Sequence, residues 1–279
     1  MSNNCKQLTK VVESKITRSM WIENSRGKRI SSKFVLYNDV ECDNFVVLTT
    51  SNGDYIYHKN VDELILHVSN YTELIKLSDR LYAINYSISD TSGTKHFARI
   101  HDGDGNLLLG DLEVIKSMKS GLFAVKKEDK WGFMDENLNV VIPHLWENVT
   151  SFNEDGYAIV FFKEYKRMAV IDKKGSYVLS PSTYSNASFI TKDLLLVKKE
   201  GKEGVINLKG EIIVPVIYSD VHLKDNFFIV RMGQKYGLID INGKEMFECI
   251  YPEIIETDKK FVVQDFARLE VPKPKEVTK

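Results

Sequence analysis

The chain has 279 residues, of which 43% are hydrophobic and 28% charged, with a formal net charge of −1. That balance lacks the basic footprint of a nucleic-acid or anionic-membrane binder, and no apolar run approaches the ~20 residues that cross a bilayer as a helix. The opening residues MSNNCKQLTK have no apolar core of a secretory signal, and Cys5, Cys42 and Cys249 leave one cysteine over. Reduced thiols and a cytoplasmic location are the expectation.

From one end to the other, runs of four to six residues rich in Val, Ile, Phe and Tyr alternate with turn residues such as Lys174-Gly175, Lys209-Gly210 and Asn242-Gly243. Short apolar runs between such turns predict hairpins. Two anchors recur in register. The first stands at Met20, Asp54, Ala98, Gly132, Ala169, Gly204 and Gly237; the second at Tyr37, Tyr71, Asp111, Trp146, Tyr184, Tyr218 and Tyr251. Each second anchor leads to an apolar strand, for example Phe45–Leu48, Leu122–Val125 or Phe227–Val230. A repeat of about 34 residues cannot bury its own apolar face, so seven copies must stack.

In chain order, the units over 10–121 are the less typical ones. Leu64, Val68, Tyr71 and Ile75 fall at helical spacing, but the repeat alignment puts strands there, and the alignment is the stronger signal. Ser87–Lys95 reads as an inserted polar loop. Next comes Asp102-Gly103-Asp104-Gly105-Asn106, with Glu113 at the twelfth position. Asp102, Asp104, Asn106 and Glu113 have the oxygen spacing of a calcium loop. Leu107 stands where that loop needs Gly, however, and the same stretch aligns with the hairpin turns at Asp135–Asn139 and Asp240–Gly243. No metal is therefore assigned. Six histidines show neither zinc-site spacing nor a neighbouring cysteine, and His96 and His101 are the pair nearest in sequence that share a loop region.

The units over 122–264 are the clear ones, with Trp131-Gly132-Phe133-Met134-Asp135, Glu203-Gly204-Val205-Ile206-Asn207 and Tyr236-Gly237-Leu238-Ile239-Asp240. Here the chain resembles the bacterial WG-repeat family, whose units read aromatic-Gly-aromatic-Ile-Asp, turn, apolar strand, then Tyr. The resemblance implies a β-repeat array with a binding or scaffolding role, and it brings no catalytic residue. The signature glycines are expected to allow close packing between units, with Gly243 a turn position on the edge. Asp265–Leu269 copies His96–Ile100 and reads as the first strand of an eighth unit, closing an edge over 265–270.

The expectation is thus a single all-β repeat domain over 1–270, with 271–279 a flexible tail. Four strands in each of seven units point to a seven-bladed β-propeller, with an open β-solenoid or twisted hairpin array as the alternative. No nucleophile elbow, phosphate-binding loop or dinucleotide fingerprint occurs, so no catalytic residue and no cofactor is nominated. The function expected is a non-enzymatic bacterial binding or scaffold module that presents inter-unit loops to a protein partner, without nucleic acid or membrane. Phe161, Tyr165 and Arg167 are its candidate contacts, in a loop mixing aromatic and basic residues. The second reading is a small-molecule or ion-binding protein, a hydrolase among the options, using the mouth of a closed propeller.

Overall fold

The computed structural model describes residues 10–13, 20–23, 26–59, 63–68, 72–163, 167–257, 260–263 and 269–272. Every named element among them is a β-strand. The chain forms two compact units, one of residues 1–146 with 151–154, the other of 147–150 with 155–279.

Six sheets of four antiparallel strands follow one another along the chain. A two-stranded sheet, β1 (Lys10–Glu13) and β2 (Met20–Glu23), precedes them. The first full sheet holds β3 (Leu36–Cys42), β4 (Phe45–Thr50), β5 (Gly53–His58) and β6 (Glu63–Val68); the second holds β7 (Thr72–Lys76), β8 (Leu81–Asp90), β9 (Gly93–Asp102) and β10 (Leu107–Leu112). The third is β11 (Val114–Ile115), β12 (Leu122–Lys127), β13 (Lys130–Asp135) and β14 (Val140–Trp146). In the second compact unit the fourth sheet is β15 (Asn148–Val149), β16 (Tyr157–Phe162), β17 (Arg167–Asp172) and β18 (Tyr177–Ser182). The fifth is β19 (Asn186–Phe189), β20 (Leu194–Lys199), β21 (Lys202–Asn207) and β22 (Ile212–Tyr218). The sixth is β23 (Asp220–Lys224), β24 (Phe227–Met232), β25 (Lys235–Asp240) and β26 (Glu245–Tyr251). The series ends on three strands, β27 (Ile254–Glu256), β28 (Lys260–Val263) and β29 (Leu269–Pro272). Each full sheet has the meander order of a propeller blade.

Sheet and sequence repeat are out of phase. A sheet opens at the second anchor of one repeat and ends after the signature strand of the next, so each repeat contributes to two sheets. The second strands explain the apolar runs: alternate residues serve opposite faces. In β24, Phe228 and Val230 pack on the fifth sheet, with Val205, Val214 and Tyr218, whereas Phe227 joins Phe261 and Val263 of the last sheet. Strands covered on both faces lose the apolar–polar alternation and keep a continuous run.

Several expectations change here. Glu63–Val68 and Thr72–Lys76 are extended, as the alignment required, in β6 and β7; residues 69–71, Tyr71 among them, lie outside the described residues. The presumed loop at Ser87–Lys95 is an extension of the β8–β9 hairpin, with Ser87 opposite His96 and Asp90 opposite Gly93. A strand, β29, pairs with β28 from Leu269 onward; residues 264–268, most of the expected edge strand, lie outside the described residues. It runs through Val271, which is buried, and Pro272, two positions assigned above to the tail.

The signature glycines do not face another unit. A Cβ on Gly204 would lie 2.6 Å from Val214 O, 2.7 Å from Val216 Cα and 2.8 Å from Pro215 C, all backbone of the adjoining strand in its own sheet. Gly132 meets Ile142 O at 2.7 Å and Gly237 meets Cys249 Cα at 2.9 Å in the same way. The inter-sheet approach belongs to the turn glycine: Gly243, at φ +88, would put a Cβ 2.6 Å from Ile213 O of the fifth sheet.

Candidate functional site

The recurring acid at the end of each signature strand builds a turn. Asp135 Oδ1 accepts the amides of Asn137 and Asn139, both at 2.9 Å. Asp172 does the same for Lys174 and Ser176, Asn207 for Lys209 and Glu211, and Asp240 for Asn242 and Lys244. Asp102 belongs to this series. Its Oδ1 takes the amides of Asp104 at 3.0 Å and Asn106 at 2.8 Å, and its Oδ2 takes the Asn106 side-chain amide at 2.9 Å. Burial pulls the Asp102 carboxyl up, but these donors outweigh it and hold the group below its ordinary range. Glu113 works elsewhere, accepting the Asp129 amide at 2.7 Å and pairing with Lys126 at 3.1 Å. The four calcium candidates are thus hydrogen-bonded in two different turns, and among the described residues no three His, Cys, Asp or Glu side chains form a metal-holding group.

The hairpin tips are minimal. Lys127 pairs with Lys130, Lys199 with Lys202 and Met232 with Lys235, leaving two residues in each turn. These tips lie between one repeat and the next in sequence, and in the structure they join strands of one sheet. Positive φ at Glu128, Asp129, Glu200 and Gly201 suits two-residue hairpins. Phe161 is half-buried opposite Asn148 and Met168 and packs against the core of the fourth and fifth sheets. Arg167 is exposed at the start of β17, and Tyr165 lies outside the described residues.

What the sequence did not single out is the fourth, edge strand of the second to sixth sheets. Leu107 and Leu108 on β10, Val140, Val141 and Leu145 on β14, Tyr177 on β18, Ile212 and Ile217 on β22, and Ile250 on β26 are all exposed. Leu145 and Ile212 are each 60% exposed and Ile250 is 53% exposed, at strand positions that repeat from sheet to sheet. Pro143, Pro181 and Pro215 sit in three of these strands. An edge proline has no amide to offer an incoming strand. The chain therefore displays apolar side chains there while blunting strand addition.

The first compact unit also holds a groove of about 630 Å³ between the edge strands β7 and β11, lined by Leu74, Ile75, Lys76, Val114 and Lys116 among others. Lys116 Nζ stands 4.4 Å from the Trp131 ring centroid, and burial lowers its pKa from the ordinary lysine value. Behind the groove, buried Asn85 donates to Ile115 O at 2.7 Å and accepts from Ile115 N at 2.8 Å. This one side chain satisfies both backbone groups of Ile115 in the short strand β11 and ties the second sheet to the third.

Fold and surface together define an all-β repeat protein made of four-stranded, propeller-like sheets with a turn-capping acid and an apolar outer edge. Residues 131–165, 169–202, 204–236 and 236–262 match the WG containing repeat, four copies in succession. No curated protein sequence matches it at a significant level. Among solved structures, a eukaryotic initiation factor is similar at 12% identity and a TM-score of 0.49, covering 95% of this chain and 85% of that one. Hsv2p of Kluyveromyces lactis is similar at 13% identity and a TM-score of 0.41, covering 97% and 98%. The Pan2 WD40 domain of Neurospora crassa follows at 8% and 0.34, covering 82% and 85%.

Proposed function

We propose that this protein is a non-enzymatic binding module that holds a protein partner against the outer strands of its sheets, in a cytoplasm where Cys42 and Cys249, both free thiols, stay reduced. One observation carries the reading: exposed apolar side chains recur on the fourth strands β10, β14, β18, β22 and β26. Single exposed hydrophobics are ordinary, but a repeated set at equivalent positions marks an interaction surface. Partner side chains would dock on these residues, since the edge prolines disfavour a paired strand. The two-residue hairpin tips offer far less surface.

The test is capture from native lysate by the tagged protein, compared with variants carrying Leu145→Glu or Ile217→Glu. Exposed substitutions of this kind leave stability within about ±0.5 kcal/mol, so folding is not the readout. The expected result is a specific captured protein lost with either outer-strand variant and kept with Arg167→Ala. Capture indifferent to both outer-strand changes, or lost only with Arg167→Ala, returns the interface to the hairpin tips and overturns the reading.

A further inference from the structure

Two histidines are buried where the first full sheet meets the second. His58 at the end of β5 is fully buried and His101 on β9 is 4% exposed. Both hold the turn that follows β9: His58 Nε2 lies 2.9 Å from Gly103 O, and His101 Nδ1 lies 3.0 Å from Gly105 O. Carbonyl oxygens only accept, so these nitrogens carry the ring protons. The other two, His58 Nδ1 and His101 Nε2, are buried without a hydrogen-bond partner. The surroundings are apolar: the Phe45 ring lies 4.7 Å from the His58 ring and 6.2 Å from the His101 ring.

We propose that His58 and His101 form an acid-released clasp between these two sheets, in which a proton taken up at either bare nitrogen frees the 102–106 turn. The chemistry is simple. A neutral ring leaves a bare lone pair in an apolar site, at modest cost; a protonated ring puts an N–H⁺ there with nothing to accept it. Asp102 of the turn favours charge on both rings and Asp104 on His58, whereas Arg99 on β9 and the His58 ring oppose charge on His101. From β8, Tyr82 is neutral and donates to Asp43 at 2.5 Å, whose other close partner is Lys76 at 3.0 Å. Glu41 and Lys59 beside His58 are paired with each other. Burial is the first cause acting on both histidines and sets both below their ordinary value. A depressed histidine contributes stability that is complete above the unfolded pKa of about 6.5 and is lost as pH falls below it.

Amide hydrogen exchange at residues 99–107, corrected for the intrinsic pH dependence, reads the clasp. Between pH 7.5 and 5.0, protection should fall roughly tenfold or more, a factor of ten for each unit by which pH passes below the unfolded value. In His58→Gln with His101→Gln, an amide donates to the same carbonyls without titrating, and the pH dependence should vanish. If that variant does not fold, imidazole nitrogen NMR of the wild-type protein decides: both rings should be neutral at pH 6.5, protonated at His58 Nε2 and His101 Nδ1. Protection unchanged between the two pH values, or either ring titrating at the ordinary value, overturns the clasp.

Discussion

The last repeats and the first ones place different residues at the same signature position, and the strand opposite explains the difference. Between the pairs Phe133–Ile142 and Trp131–Trp146, Gly132 alone stands across from Pro143, His144 and Leu145. Gly204 and Gly237 face three-residue bulges in the same register. Ala169 faces only Ser180 and Pro181, between the pairs Val170–Leu179 and Met168–Ser182. In the earlier sheets the position itself is paired: Ala98 with Leu112, next to a two-residue bulge of Gly110 and Asp111 that stands opposite Arg99; Asp54 with Val68; and Met20 with Phe34 in an isolated bridge. The lesson is local. The glycine that names the family answers the length of the bulge beside it, because the bulged backbone arches into the space a Cβ would fill.

The largest break in this comparison is expected from Gly204→Val or Gly237→Val, which thrust a branched side chain into backbone that cannot rotate away. A loss of ~1–3 kcal/mol or more in denaturant unfolding is expected; an unchanged midpoint would show that the bulge yields freely. Next comes Asn85→Ala, in the early region, where the staple on Ile115 replaces what a paired strand would supply. Removing it leaves a buried amide and carbonyl unsatisfied, at about 2 kcal/mol, read from the same unfolding curve. Gly243→Ala should cost about 1 kcal/mol or more, because φ +88 and the 2.6 Å approach to Ile213 O both oppose a Cβ. Exchange protection in β22 and β26 should fall together in that variant; a loss confined to the turn would mean that the sheet contact contributes nothing. The smallest effect is expected from Ala169→Gly, where the shorter bulge already accepts a methyl. It should destabilise by only ~0.5–1 kcal/mol through chain entropy, whereas a gain in stability would mean that Ala169 is strained.

The sequence made the strands and turns legible because their causes are local. Val- and Phe-rich runs between Lys-Gly and Asn-Gly turns have one reading as hairpins, and the aspartates at 102, 135, 172 and 240 sit where turns need them. Even the helical spacing of Leu64 to Ile75 yielded to the repeat register. The phase between repeat and sheet was not legible, since strand pairing is long-range and a cyclic order of four strands looks alike wherever counting starts. The same limit hid the contact of Gly132 with the β14 bulge. At the surface, Phe161 looked like a loop aromatic because the residues that cover it come from other strands. His58 and His101 carry no spacing signal at all; only the packing of two sheets brings them to one turn. The apolar fourth strands left a trace in the exposed Val140, Ile217 and Ile250, but a core strand reads the same way.

The central claim, that bulge length selects the signature residue, is tested most directly by a double-mutant cycle on the fifth sheet. Gly204→Ala is measured in the wild-type chain and again in a chain lacking Pro215, whose bulge is then shortened to the length facing Ala169. The account predicts a cost of ~1–3 kcal/mol for Gly204→Ala in the wild type and a cost near zero in the deletion background, a coupling well outside the few tenths expected of independent sites. Equal costs in the two backgrounds would contradict it.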